Sequence, residues 1–301
     1  MSKGKGAKVV RSLRSALNYA LVAVLCLPLV MGCYALWDSH VISEHAGVGQ
    51  WQPYKPTEPE PLSFWELQRI NPEVRAWLSV YGTNIDYPVC QPTLEDEEKY
   101  LTTNAKGEYN LGGALFIGVA NDADFSDFST IVYGHHMENK AMFGGISDFA
   151  DQSYFDEHRY GDLFVNDRNY GLEFFCYLNA DAYDRDIYRF IFVGEGEREG
   201  YISLLHDRAQ CWRDGVVVGE GDRIVMLSTC SEGYTNAREI LVGKICNDRF
   251  KNPFVKIPNL GTGVDKQEGW FNIPYKSWLG LAVLVVLVAI VIWGGRARRV
   301  R

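Results

Sequence analysis

Two long apolar runs, each flanked on its outer side by bases alone, bracket an acidic middle. No other feature constrains this 301-residue chain as strongly. The first run, Ala16 to Trp37, is interrupted only by Asn18 and Tyr19, and the second, Trp278 to Trp293, carries no charge and is extended by Gly294 and Gly295. Both approach the roughly 20 apolar residues that cross a bilayer as a helix. Lys3, Lys5, Lys8, Arg11 and Arg14 precede the first run, and Arg296, Arg298, Arg299 and Arg301 follow the second, with no acid in either group. All 38 acids and 21 of the 30 bases lie between the runs. Basic flanks are retained in the cytoplasm, so this pattern predicts two spans, both termini cytoplasmic and the middle outside, with the lipid bilayer as a partner. So acidic a middle excludes nucleic acid as a partner.

A cleaved signal peptide is the alternative reading of the first run, but it lacks a small-x-small cleavage site. Val30-Met-Gly-Cys33 is a poor lipoprotein box because of Met31. Both alternatives leave the middle outside the cell. Of seven cysteines, Cys26 and Cys33 lie in the first run, and Cys90, Cys176, Cys211, Cys230 and Cys246 are outside it. An odd number leaves at least one free thiol unless an intermolecular bond forms. No CxxC or His–Cys spacing points to a metal, and no cofactor is expected.

Residues 38–61, ending Pro53-Tyr-Lys-Pro-Thr-Glu-Pro-Glu-Pro61, read as a stiff extended spacer. Ser63 with Glu66 reads as a capping box for a helix to Ile70, and Asn71-Pro72 as the start of a short helix to Leu78. Gly82 to Cys90 is a turn entering a strand, and Leu94–Leu101 a helical turn. From Leu111 the pattern turns to short β-rich segments separated by Gly and Asp/Asn clusters. The candidate strands are Ala114–Gly118, Thr130–Tyr133, Asp162–Asn166, Leu172–Ala180, Ile187–Phe192, Arg223–Ser228 and Glu239–Ile245. Such spacing predicts a mainly β barrel or sandwich. Tyr201, Leu204, Leu205 and Ala209 recur at helical spacing, which puts one helix across Gly200 to Trp212, before the last strands. The resulting division is a basic tail (1–15), a transmembrane helix (16–37), a spacer (38–61), a folded domain (62–250), a linker (251–277), a second transmembrane helix (278–295) and a basic tail (296–301).

The chemistry concentrates at Arg223-Ile-Val-Met-Leu-Ser-Thr-Cys230 and at Arg238-Glu-Ile-Leu-Val. If these are neighbouring strands joined by a turn, Cys230 and Arg238 share one sheet end, and a thiol beside a fixed cation is half of a nucleophilic site. Of six histidines, His40 and His45 fall in the spacer, and His158 and His206 in polar or helical context. His135 instead follows the strand Thr130–Tyr133 and Gly134, which permits a sharp turn at the strand end. It is the candidate proton carrier, and His136 a bystander. Glu232 reads as a solvated loop carboxylate rather than a third catalytic member.

Taken in order, Asn71-Pro-Glu-Val-Arg-Ala-Trp77, Gly82-Thr-Asn-Ile-Asp-Tyr-Pro-Val89, Lys99-Tyr-Leu101, Gly107-Glu-Tyr109, Tyr133-Gly-His135, Met142-Phe-Gly144, Leu227-Ser-Thr-Cys230 and Arg238 resemble a class B sortase, from about Phe64 to Lys244. The resemblance implies an eight-stranded sortase-type β-barrel with N-terminal helices and one helix before the last strands, flanked here by two transmembrane helices. It implies a Gram-positive surface cysteine transpeptidase, of the cysteine endopeptidase class. Cys230 would cleave a C-terminal sorting motif of secreted proteins after Thr. The acyl group would pass to a peptidoglycan cross-bridge amine or a pilin lysine. His135 would move the protons, Arg238 would hold the acyl oxygen or substrate backbone, and Thr229 would position the substrate. Leu101, Tyr133, Tyr201, Ile202 and Ser228 match substrate-groove positions, with barrel packing as the plainer reading of each.

Three features depart from that pattern. Glu97 stands where an Asn often lines the groove, and Ser231 where an acid commonly follows the nucleophile. A C-terminal span is more typical of class C pilin polymerases, yet no Asp-Pro-aromatic lid motif occurs in residues 38–61, so class B stands with pilus assembly as an open role. The competing functions are a cysteine protease that only hydrolyses its thioester and a non-catalytic surface scaffold. The order His before Cys is the reverse of the papain-like one, which counts against that fold.

Overall fold

The computed structural model describes residues 3–137, 139–219, 221–230 and 236–254. The N-terminal helix α1 (Lys3–Ala46) contains a 28-residue apolar stretch, Ser12–Ser39, long enough to cross a membrane. Its residues up to Val41 belong to a compact unit of their own, and residues 42–258 lie in a second one. The expected second span, residues 278–295, and most of the linker before it lie outside the described residues.

The second unit is a barrel. Its strands are β1 (Val74–Val80), β2 (Asp86–Cys90), β3 (Leu115–Ile117), β4 (Ser129–Gly134), β5 (Tyr160–Val165), β6 (Arg168–Asp181), β7 (Cys211–Trp212), β8 (Arg223–Cys230) and β9 (Ala237–Cys246). Their order is β5-β1-β2-β3-β4-β8-β9-β6-β7, and β5 also pairs with β6. That extra pairing closes a ring of eight strands, with two-residue β7 appended to β6. Closure removes the exposed edges that would otherwise template aggregation.

Side-chain alternation sends each strand's two faces to separate cores. On β8, Val225 and Leu227 join the large cluster that fills the barrel, while Ile224 and Met226 join a smaller one. Leu241 and Ile245 against Ile240 and Val242 repeat this on β9. Helices α2 (Leu62–Ile70) and α3 (Gln152–Glu157) precede α4 (Glu195–Arg208), which covers the smaller cluster through Tyr201 and Leu205. A register shift between Phe174 and Cys176 lets both Phe174 and Tyr177 of β6 face the large cluster.

Four local expectations are corrected. Residues 74–80 are strand, not helix: Asn71 Oδ1 accepts the Glu73 amide at 3.1 Å, turning the chain after α2 (Leu62–Ile70), and β1 then pairs on both sides. Two sheet ladders outweigh a weak helix signal of one turn. Ser63 does not cap α2; its hydroxyl donates to the Lys55 carbonyl at 2.7 Å. Ile187–Phe192 is turn and loop, because Asp184 Oδ1 accepts the amides of Asp186 and Ile187 and curls the chain away from any partner strand. The helix expected over 200–212 is α4, which starts earlier and stops before β7.

The spacer is docked rather than free. Trp51 is buried, and Asp86 collects Lys55 Nζ (2.7 Å), Gln52 Nε2 (2.9 Å), Trp77 Nε1 (2.7 Å) and Ser79 Oγ (2.6 Å). Burial works to raise the Asp86 carboxyl, but the Lys55 charge and these donors outweigh it and hold the pKa low. Further along, Arg249 grips Asp162 through Nη2 (2.6 Å) and Glu58 through Nη1 (2.9 Å), joining the chain before the barrel to the chain after it. Phe250 stacks on Tyr160 beside that clasp, with ring centroids 4.1 Å apart.

Candidate active site

Strand register brings the candidate residues together. β4 and β8 are parallel, with Gly134 opposite Thr229, so His135 comes level with Cys230 one residue on. β8 and β9 are antiparallel, with Cys230 opposite Arg238. Three adjacent strands, about 4.8 Å apart, therefore present His135, Cys230 and Arg238 at one end of the barrel. Residues 231–235, which include Ser231 and Glu232, lie outside the described residues.

His135 is held from outside its own strand. Its Nε2 lies 2.7 Å from the Leu101 carbonyl oxygen, and a carbonyl only accepts, so Nε2 carries the proton. In the neutral ring Nδ1 is then the basic nitrogen. Leu101 ends a 3₁₀ turn, Lys99–Leu101, fixed by a carboxylate: Glu73 Oε2 accepts from Lys99 Nζ at 2.9 Å and from the Tyr100 hydroxyl at 2.7 Å. Burial raises Glu73, yet the donors Lys99 and Tyr100 prevail, and its pKa is lowered. Buried Asn71 completes the cluster by donating to the Tyr100 hydroxyl at 2.8 Å.

Gly134 is needed for room. Its φ is not left-handed, but a Cβ there would stand 2.5 Å from Leu115 Cδ2 and 2.8 Å from Phe143 Cδ2. The backbone beyond is paired to the returning strand of the same loop: His136 bridges Met142, and the Phe143 amide donates to the His135 carbonyl at 3.0 Å.

The remaining sequence-selected residues divide into exposed and covered. Leu101 is partly exposed. Half-buried Tyr133 packs between Phe116 (5.5 Å) and Tyr188 (6.5 Å, stacked); burial raises its pKa, and the nearby Arg238 charge opposes the rise. Ser228 is buried and shares a 2.9 Å hydrogen bond with the Tyr188 hydroxyl. Thr229 is also buried, and its Oγ1 has no hydrogen-bond partner among the described residues. Tyr201 is not at a groove surface: it is 3% exposed and donates to the Ile187 carbonyl at 2.6 Å, fastening α4 to the sheet. Ile202 packs against the same small cluster. Arg238 Nη1 donates to the Ala237 carbonyl at 3.1 Å.

Two contributors escape a reading by motif. His136, apart from the proposed chemistry, has a partner of its own: its Nδ1 lies 3.7 Å from Glu239 Oε2, and both side chains are mostly buried. The signal for this was strand alternation, since neighbours in sequence face opposite ways. The second is Tyr188, inside the segment expected to be a strand. It stands at one wall of an open cleft of about 550 Å³ formed by residues of 182–191, next to the Asp181–Ala237 pair.

The other thiols of the barrel are set apart by burial, complete for Cys90, Cys176 and Cys211 and partial for Cys246. Cys90, Cys176, Cys211 and Cys246 are free, and desolvation raises the pKa of each. A thiol kept protonated in an apolar setting is a poor nucleophile.

No family model matches the chain. Sortase B of Listeria monocytogenes serovar 1/2a is 29% identical over 184 residues, covering 60% of this chain and 72% of that protein. The crystal structure of sortase B from the type II pilus of Streptococcus pneumoniae is 44% identical at a TM-score of 0.52, covering 61% of this chain and 98% of that one. A Streptococcus pyogenes class B sortase involved in pilus biogenesis is 30% identical at a TM-score of 0.55, covering 60% and 97%.

Proposed function

Because the chain belongs to the class B sortase family, whose members are cysteine transpeptidases, we propose that it is anchored in the cell membrane and joins secreted proteins to an amine at the cell surface. The observation that carries this reading is the register of β4, β8 and β9, which sets His135, Cys230 and Arg238 abreast.

In the proposed reaction Cys230 passes its thiol proton to His135, and the sulfur attacks the carbonyl carbon of the Thr in a C-terminal sorting motif. The C–N bond breaks, and His135 gives a proton to the departing amine. The acyl group is then a thioester on Cys230. An incoming amine attacks its carbonyl carbon, His135 takes the amine proton and hands it to the departing sulfur, and the C–S bond breaks to free the thiol. Arg238 supplies fixed donors to the acyl oxygen or the substrate backbone. Thr229 precedes the nucleophile, and with its hydroxyl buried it positions the substrate through the backbone it shares with Cys230. Tyr133, Leu101 and the 182–191 cleft line the approach.

We assign the acceptor to a pilin lysine rather than a wall cross-bridge. The support is the 44% identity to a sortase from a pilus and the likeness to a second one involved in pilus biogenesis. The apolar helix Ser12–Ser39 supports an N-terminal anchor; the charge-free run 278–295 with its basic flank supports a second one and a two-pass topology.

The test is a product analysis. The full chain is incubated with a sorting-motif peptide and either a lysine-bearing pilin fragment or a cross-bridge peptide. Mass spectrometry should find an amide adduct, preferentially with the lysine, and none with Cys230→Ala. Hydrolysis alone with every amine would sink transpeptidation in favour of a protease, and preference for the cross-bridge would sink the pilin assignment.

A further inference from the structure

The last residue of α1 is seated on the barrel. Ala46 is 1% exposed, and its carbonyl accepts the Tyr87 hydroxyl proton at 3.1 Å. The same hydroxyl oxygen accepts the Met142 amide, also at 3.1 Å. Tyr87 is itself fully buried in β2, so neither bond is shared with solvent. Met142 sits at φ 51, a left-handed backbone that a side chain rarely adopts, and it forms the bridge to His136. The next amide, of Phe143, holds the His135 carbonyl. One phenol thus stands between the end of the helix that carries the apolar span and the turn that sets the catalytic histidine's backbone. Gly112 marks how closely the helix end is seated: a Cβ there would lie 3.0 Å from Ala46 Cβ.

We propose that Tyr87 is a positioning residue that makes alignment of His135 depend on seating of the α1 end, so that membrane attachment and catalysis are coupled through one hydroxyl. The proposal rests on the transpeptidase reading for its catalytic half. The tie itself is structural and can be measured without turnover. Buried backbone groups need their partners, so removing the hydroxyl leaves both the Ala46 carbonyl and the Met142 amide unpaired and frees the left-handed turn to relax.

The experiment compares the full-length protein, reconstituted in vesicles, with Y87F, G112A and the double variant. The phenylalanine keeps the ring and its packing. The alanine crowds Ala46 and, at 3.1 Å, Asn110 Oδ1, but meets neither Tyr87 nor the histidine loop. Expected for Y87F is a kcat lowered about tenfold with KM for the peptide unchanged, less than the ~10²-fold cost of a full ångström of misplacement. Hydrogen exchange at the Met142 and Phe143 amides should quicken while the β8 amides stay protected. G112A should shift both readouts the same way, and the double variant should be no worse than Y87F, because both act on one path. An unchanged kcat in Y87F, a loss confined to KM, or losses that multiply in the double variant would overturn the coupling. If the wild-type protein forms no amine adduct, the transpeptidase reading fails. The exchange rates then still decide the tie: unchanged protection at Met142 in both variants refutes it.

Discussion

The Nε2 of His135 lies 2.7 Å from the carbonyl oxygen of Leu101, 34 residues away in the chain. The histidine proposed to carry the protons is therefore oriented by backbone, and that backbone by Glu73. Glu73→Gln keeps the shape and removes the charge. Its folded pKa is lowered, so its contribution is fully present above the ordinary carboxylate value and is lost as pH falls through the depressed one. Thermal melts from pH 6 to pH 3 should show the wild type losing stability in that acid window and the variant losing less. At neutral pH the variant should be about 1 kcal/mol weaker, the scale of a charge-assisted hydrogen bond partly screened by solvent. Identical melts across the window would refute the role.

Cys230→Ala and His135→Ala should abolish adduct formation, whereas Arg238→Ala should cost on the order of 10²-fold or more in kcat, the scale for a lost oxyanion donor. Arg238→Lys should recover only part, since a single ammonium cannot reproduce the planar fork. Steady-state rates decide it, and near-normal turnover of Arg238→Ala would remove the residue from the mechanism.

His136→Ala withdraws the ring that lies 3.7 Å from the mostly buried Glu239 carboxylate. The expected loss is about 1–3 kcal/mol, the usual penalty at a buried polar group deprived of one partner. Activity should fall less than in His135→Ala. Denaturant titration reads the first, and a turnover assay the second. A variant as inactive as His135→Ala would mean the two histidines had been given the wrong parts.

Gly134→Ala drives a methyl group against Leu115 and Phe143. Overpacking of this kind costs about 1–3 kcal/mol. Because His135 is the next residue, the melting temperature and kcat should fall together, and an alanine variant with wild-type values for both would show that the space is not limiting.

Alkylation should discriminate among the thiols outside the apolar helix. Cys90, Cys176, Cys211 and Cys246 are held protonated by burial, so a short exposure to iodoacetamide near neutral pH should label Cys230 ahead of all four. Peptide mapping by mass spectrometry checks this. Equal labelling of Cys211 would contradict its seclusion.

Strand chemistry was legible wherever alternation was long. Arg223–Cys230 and Ala237–Cys246 declare themselves by β-branched residues on both faces, and their adjacency followed from the few residues that separate them in the chain. The triplet of His135, Cys230 and Arg238 was legible for the same reason, since register converts strand ends into neighbours. Residues 74–80 were misread because Asn71-Pro72 is as good a turn before a strand as it is a helix start; only pairing with β2 and β5 decides, and pairing is not local. Tyr201 was assigned to a groove because a motif match carries position but not facing. Gly134 was read as a conformational need when the constraint is the pair of side chains above it. The hold of Leu101 on His135 is a backbone contact between distant segments, and no residue type announces it.

Arg249 binds Glu58 and Asp162 where β6 and β9 begin and end their pairing, some eight residues of strand, or about 27 Å, from Arg238. The incoming and outgoing leads of the barrel are thus knotted together at its far rim. A pull applied between the two leads therefore meets this clasp before it meets the β8–β9 ladder.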